Sequence, residues 1–272
     1  MNFEWILFSV DPATIRGCCA AGIHGIIVDW ENRGKHERQT GFDTQINLQT
    51  IEDLRRARLA TPANHRLFCR INGWHANSPR EIDEAIDNGA DELFLPMVRT
   101  PREVEWTLRL IDDRVPLGIL IETRDAVECA RELANLPLSR IYVGLNDLSI
   151  DYGNDSLFEA LHDGTVDTIR ERIPASMPFG IAGMTMPELG RPVPARLLAC
   201  EIARLGATFT FLRRSFLRDI KGRDPKQEVP RMLAAIEAAR NRDAEQIVTD
   251  CEEFAVAVQS TVQVLKWRNA AV

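Results

Sequence analysis

Residues 92–122 read ELFLPMVRTPREVEWTLRLIDDRVPLGILIE. The stretch opens on a short apolar run, Glu92 to Pro96, and closes on a second, Leu117 to Ile121, which stops at Glu122. Both runs are too short for buried helices and lack polar alternation, as strands covered on both faces do. Between them Thr100-Pro101-Arg102-Glu103 supplies a hydroxyl N-cap, a proline at the first helical position and a glutamate at the third. Val104, Leu108 and Ile111 then follow at the helical period. This is one parallel βαβ unit.

The same unit recurs outward in both directions. Apolar runs stand at Ile6–Phe8, Gly25–Val28, Leu67–Ile71, Arg140–Val143, Phe179–Ala182 and Thr208–Leu212, which makes eight, and the third to sixth are spaced by about 25 residues. Ser78-Pro79-Arg80-Glu81 repeats the cap, with Ile82, Ala85 and Ile86 behind it. Eight units and no GxGxxG turn after the first strand predict an α/β protein, a closed (β/α)8 TIM barrel over residues 1–221, rather than an open doubly wound sheet. Residues 222–272 carry one helical stripe through Val229, Met232, Leu233 and Ile236 and another through Ile247, Cys251, Phe254, Val258, Val262 and Leu265. They predict a C-terminal helical extension that packs either on its own barrel or on a neighbouring subunit of a homo-oligomer.

Composition narrows the partners. The 272 residues are 45% hydrophobic and 27% charged with a net charge of −7, so nucleic acid and anionic membrane surfaces are not expected partners. The six cysteines form no CxxC pair, which points to reduced thiols rather than a zinc or disulfide framework. The opening MNFEWILFSVDPATIRG has no basic n-region, and the expectation is a cytoplasmic protein.

In such a barrel, chemistry is built at the C-terminal strand ends. The polar residues there are Asp29 and Glu31, Arg70 and Asn72, Glu122, Asn146 and Asp147, and Arg213 with Arg214. Glu122 ends a buried run, and Asp147 lies one strand further round. At about 4 Å and an effective dielectric near 20 two such carboxylates repel by roughly 4 kcal/mol, which Mg2+ or Mn2+ would reverse. A salt bridge from Glu122 to Arg124 is the structural alternative. Arg70 suits a substrate carboxylate or enolate oxygen, or simply pairs with Glu122 or Asp29. None of the four lysines falls in a strand, which argues against Schiff-base chemistry. His75 is a reserve proton-transfer residue and His36 a weaker one, while Cys69 is expected to point away from Arg70 and pack against a helix.

Taken in order, Val28-Asp29-Trp30-Glu31-Asn32 with Lys35 and Arg38, Arg70-Ile71-Asn72, Leu95-Pro96, Ile121-Glu122-Thr123, and Gly144-Leu145-Asn146-Asp147-Leu148 with Gly153 resemble the HpcH/HpaI aldolase and citrate lyase beta-subunit family. The likeness runs from about residue 23 to 215. It implies a barrel, usually oligomeric, that makes or breaks carbon-carbon bonds through an enolate, with Glu122 and Asp147 as ligands of Mg2+ or Mn2+ and Arg70 binding substrate. Two departures stand out. Asn32 occupies the place of a histidine in the aldolase branch and an aspartate in the lyase branch, and Gly206 to Arg214 lacks the His-Pro pair of the lyases. The expectation is a divalent-metal-dependent lyase or aldolase acting on a 2-oxo acid or related acyl substrate, a small carboxylate, with Asp29 or Glu31 handling the proton. The alternative is a catalytically silent barrel that binds a small carboxylate and serves as an assembly subunit.

Overall fold

The computed structural model describes residues 3–34 and 49–270. Eight parallel strands close into a barrel in sequence order, the first pairing with the eighth. They are β1 (Glu4–Phe8), β2 (Gly25–Asp29), β3 (Arg66–Arg70), β4 (Glu92–Leu95), β5 (Leu117–Ile121), β6 (Arg140–Val143), β7 (Phe179–Gly183) and β8 (Phe209–Leu212). Each coincides with an apolar run to within two residues at either end, because strands buried on both faces have no polar positions to spare.

Two cores result from the period of two along each strand. Outward residues join the helices in one large cluster, and inward residues form a separate one of Ile6, Phe8, Ile27, Phe68, Phe94, Leu120, Tyr142, Phe209 and Phe211. Six rings fill the barrel axis, with Phe8 and Phe94 each 5.3 Å from Phe211 and Tyr142 stacked on Phe211 at 3.9 Å. Glycines on adjacent strands make the room. A Cβ at Gly25, Gly118 or Gly180 would stand 2.4, 2.7 or 2.6 Å from Phe68, Phe94 or Phe209.

Below the rings, Arg140 closes the N-terminal end of the barrel, bonded at 2.8 Å to both Glu92 and Glu4. The apolar runs thus included two residues, Arg140 and Glu92, that serve as a buried ion pair instead of core. The helix Pro101–Ile111 starts with the predicted capping box of Thr100 and Glu103. The helix Ser78–Asp87 does not: Ser78 already lies inside it, behind Asn77, and Glu81 turns elsewhere.

The extension is helical, Pro225–Arg240 and then Ala244–Ala270. Val229, Met232 and Ile236 of the first helix are buried, as are Phe254 and Val258 of the second, and both helices pack on the barrel helix Ala195–Arg204. Arg196 on that helix meets Asp250 at 3.1 Å. The inner half of the second stripe therefore covers its own barrel, while Val264 and Trp267 are exposed. Among the described residues no helix is long and apolar enough to cross a membrane.

Candidate active site

Two positions beyond the inward Ile27, Phe68 and Leu120 lie Asp29, Arg70 and Glu122, so the alternation that builds the aromatic layer also directs these side chains into the barrel mouth. Asp29 and Arg70 are in register at the ends of β2 and β3. Arg70 Nε and Nη2 donate to the two oxygens of Asp29, both at 2.8 Å, and Nη1 lies 3.0 Å from Glu31 Oε2. All three residues are buried. Burial alone would favour the neutral guanidine, but Asp29 and Glu31 outweigh it and hold Arg70 well above its ordinary pKa. A guanidinium has five N–H groups; two are hydrogen-bonded to Asp29 and one Nη1–H lies toward Glu31, so two remain for a ligand beyond these carboxylates.

The loop that carries Glu31 is tied down by Asn72. Its Oδ1 accepts from the backbone N–H groups of Asn32 and Arg33, at 3.0 and 2.9 Å, and its Nδ2 donates to Trp30 O and to Glu81. Gln49 Oε1 accepts from the Asp29 N–H at 2.6 Å. This is where Glu81 goes instead of capping its helix. Its other oxygen meets His75 Nε2 at 3.2 Å, while His75 Nδ1 accepts from the Asn77 N–H. Both ring nitrogens of the reserve histidine are thus engaged within its own loop. His36, with Lys35 and Arg38, lies outside the described residues.

Glu122 does not pair with Arg124, which instead bonds the carbonyls of Asp151 and Tyr152, each at 3.0 Å. Glu122 Oε1 accepts from the Met97 N–H at 2.8 Å. Its other oxygen occupies the space beside Gly144, where a Cβ would stand 2.2 Å from Oε2. Gly144 is the N-cap of the helix Leu145–Tyr152, and Asp147 lies buried in that helix's first turn. Burial, then Asp147 and Glu31, push the Glu122 carboxyl up to about 8, against the smaller opposing effects of Arg70 and the Met97 amide. The surplus negative charge and the oxygen-only donor set fit a hard divalent cation. Among the described residues no three His, Cys, Asp or Glu side chains form a metal cage, so two carboxylates would leave the other positions to water and substrate.

Solved structures share this architecture. An HpcH/HpaI aldolase from Desulfitobacterium hafniense DCB-2 superposes with a TM-score of 0.61 at 13% identity, over 89% of this chain and 95% of that one. A citrate lyase beta subunit from M. tuberculosis, complexed with oxaloacetate and magnesium, gives 0.59 at 19% identity over 89% and 97%. The citrate synthase SbnG gives 0.56 at 20% identity over 87% and 92%. The fold is that of the HpcH/HpaI aldolases and citrate lyase beta subunits. No protein-family model and no curated protein matches the sequence itself.

Within this aldolase and lyase fold, the described strand-end residues singled out from sequence fall at one end of the barrel, and Cys69 is buried among the outward apolar residues, its thiol raised well above the ordinary range by burial. Sequence reasoning missed Tyr142. It sits on the axis, burial raises its phenol far above the usual range, and its hydroxyl donates to the Ala182 carbonyl. An inward aromatic two residues before Gly144 was the available signal.

Proposed function

We propose that the protein is a divalent-metal-dependent carbon-carbon lyase or aldolase of the HpcH/HpaI and citrate lyase beta-subunit type, acting through the enolate of a 2-oxo acid of the pyruvate or oxaloacetate kind or a related acyl substrate. The observation that carries this reading is the presence at one barrel mouth of Glu122, pushed up to about 8 by burial and Asp147, and of a buried Arg70 whose two hydrogen bonds to Asp29 and ion pair with Glu31 fix its direction.

Glu122 and Asp147 would hold Mg2+ or Mn2+, which when bound supplies Lewis-acid polarisation of the substrate carbonyl. Arg70 binds the substrate's oxygens through its two remaining N–H groups and stabilises the negative charge that develops as the carbon-carbon bond opens, an effect that preorganised donors supply without rearrangement. Asp29 is a positioning residue that locks the fork of Arg70. We assign the proton of the departing hydroxyl to Glu31, because Asp29 accepts two charge-assisted hydrogen bonds from Arg70 that protonation would weaken, whereas Glu31 meets Arg70 through an ion pair alone. The oxaloacetate and magnesium complex of the M. tuberculosis structure supports a small carboxylate and a divalent ion as the ligands to try first.

We also propose a homo-oligomer that uses the exposed outer part of the helix Ala244–Ala270, where Trp267 is 75% exposed. The test of the site is Mn2+ titration. Glu122→Ala and Asp147→Ala should each abolish tight binding with the fold intact by circular dichroism, and retained affinity in both would defeat the assignment.

A further inference from the structure

Arg213 has no part in the reaction proposed above, yet it follows the inward Phe211 by two residues, the same step that leads from Phe68 to Arg70 and from Leu120 to Glu122. It therefore enters the same layer of the barrel. Its Cζ lies 4.7 Å from the centroid of the Phe8 ring, and the Cζ of Arg70 lies 5.3 Å from that centroid, so the two guanidinium carbons are at most about 10 Å apart.

The two arginines differ in their partners. Arg70 is bonded to two carboxylates, whereas the half-buried Arg213 has no side-chain hydrogen bond or ion pair with any described residue and rests on the face of Phe8. Enclosure by protein and repulsion from Arg70 hold its pKa below the ordinary value, although Asp29 and Glu31 act the other way. A guanidinium placed for packing alone would be served as well by leucine or methionine. Arg213 borders a cavity of about 500 Å3 between the mouth ends of β1 and β8, lined also by Arg214 and Lys221. Asp11 is the carboxylate among its described lining residues, and it caps the Thr14 N–H at 2.7 Å.

We propose that Arg213 is a specificity-determining substrate-binding residue, which receives a second anionic group a few carbons away from the carboxylate held near Arg70. The preferred substrates are then 2-oxo acids that carry a second carboxylate or a phosphate, an inference that rests on the enolate reading above. Each guanidinium carbon stands on the order of 4 Å from the carboxylate carbon it forks, so two guanidinium carbons no more than about 10 Å apart are within reach of both carboxylates of one short diacid.

The test is calorimetric titration of the Mn2+-loaded full-length protein with pyruvate and with 2-oxoglutarate. The diacid should bind about tenfold or more tighter than pyruvate in wild type, within about twofold of it in Arg213→Gln, and in between in Arg213→Lys. No preference in wild type, or a preference that survives in Arg213→Gln, overturns the proposal. If pyruvate fails to bind the loaded protein, the enolate reading fails separately. Succinate and inorganic phosphate titrated into metal-free wild type and Arg213→Gln then judge the anion site alone and distinguish its two chemistries. Binding that depends on Arg213 upholds the site, and equal or absent binding overturns it. The Arg213 side chain makes no hydrogen bond or ion pair with a described residue, so its replacement strands no described partner, and circular dichroism of both variants checks the fold.

Discussion

Gly144 and Glu122 are in contact across the ends of β5 and β6: the carboxylate oxygen lies where any side chain at residue 144 would begin, 2.2 Å from an added Cβ. The backbone of Gly144, at φ −85° and ψ 84°, is open to other residues, so its lack of a side chain serves the carboxylate and not the turn. Gly144→Ala should fold normally and bind Mn2+ at least about tenfold more weakly, a cost of ~1.4 kcal/mol, because the Cβ also meets the less movable Cβ of Glu122 at 3.0 Å. Unchanged affinity by calorimetry would mean that this placement of Glu122 is dispensable.

Arg70→Lys should retain the fold and lose activity by about a hundredfold or more, since an ammonium cannot bridge both oxygens of Asp29 while presenting donors to substrate. Steady-state kinetics on a cleavable 2-oxo acid would measure it. Wild-type turnover in the variant would leave Arg70 with a structural role alone.

Binding of the metal should depend on pH through Glu122. Its carboxyl is pushed up to about 8 by burial, Asp147 and Glu31, and a cation binds the deprotonated form, so Mn2+ affinity should fall by about tenfold per pH unit below that value. The folded carboxyl keeps its proton to a higher pH than the unfolded chain, whose carboxyl titrates near 4.5. The metal-free protein should accordingly lose stability as pH rises from 4.5 to about 8, and Mn2+ should restore it. Denaturant unfolding at several pH values, with and without Mn2+, checks both signs. His24, held below its ordinary value of 6.5 by burial, acts the other way in the lower part of that window, so wild type is compared with Glu122→Gln. A metal-free loss of stability no larger in wild type than in that variant would contradict the account.

The strand ends were legible because a parallel strand buried on both faces is a continuous apolar run, and the first carboxylate or guanidinium after it marks the mouth. Asp29, Arg70 and Glu122 were found in this way. What each side chain bonds was not legible. Glu81 stands where a capping glutamate belongs, but a cap and a brace for Asn72 and His75 demand the same residue at the same place. Arg140 and Glu92 passed as strand residues because their partner relationship spans 48 positions of sequence, and the link from Arg140 to Glu4 spans 136. Arg213 was visible as a strand-end cation, but that no carboxylate among the described residues bonds it is a property of the folded barrel.

Deleting residues 260–272 should leave the barrel folded, since Phe254 and Val258, the buried anchors of the helix Ala244–Ala270, remain. Light scattering should show fewer subunits. An unchanged subunit count would remove the outer half of this helix from the interface.

The most direct test of the central claim needs only half of the reaction. If Arg70 and the Glu122 and Asp147 site stabilise an enolate, pyruvate in heavy water should exchange its methyl protons without any acceptor, provided a base lies within about 3 Å or one water of the methyl group. Proton NMR should show the methyl signal disappearing with Mg2+ present, persisting when the metal is chelated, and persisting in Arg70→Ala. A methyl signal that persists in the wild-type protein despite demonstrated binding of both Mg2+ and pyruvate would contradict it.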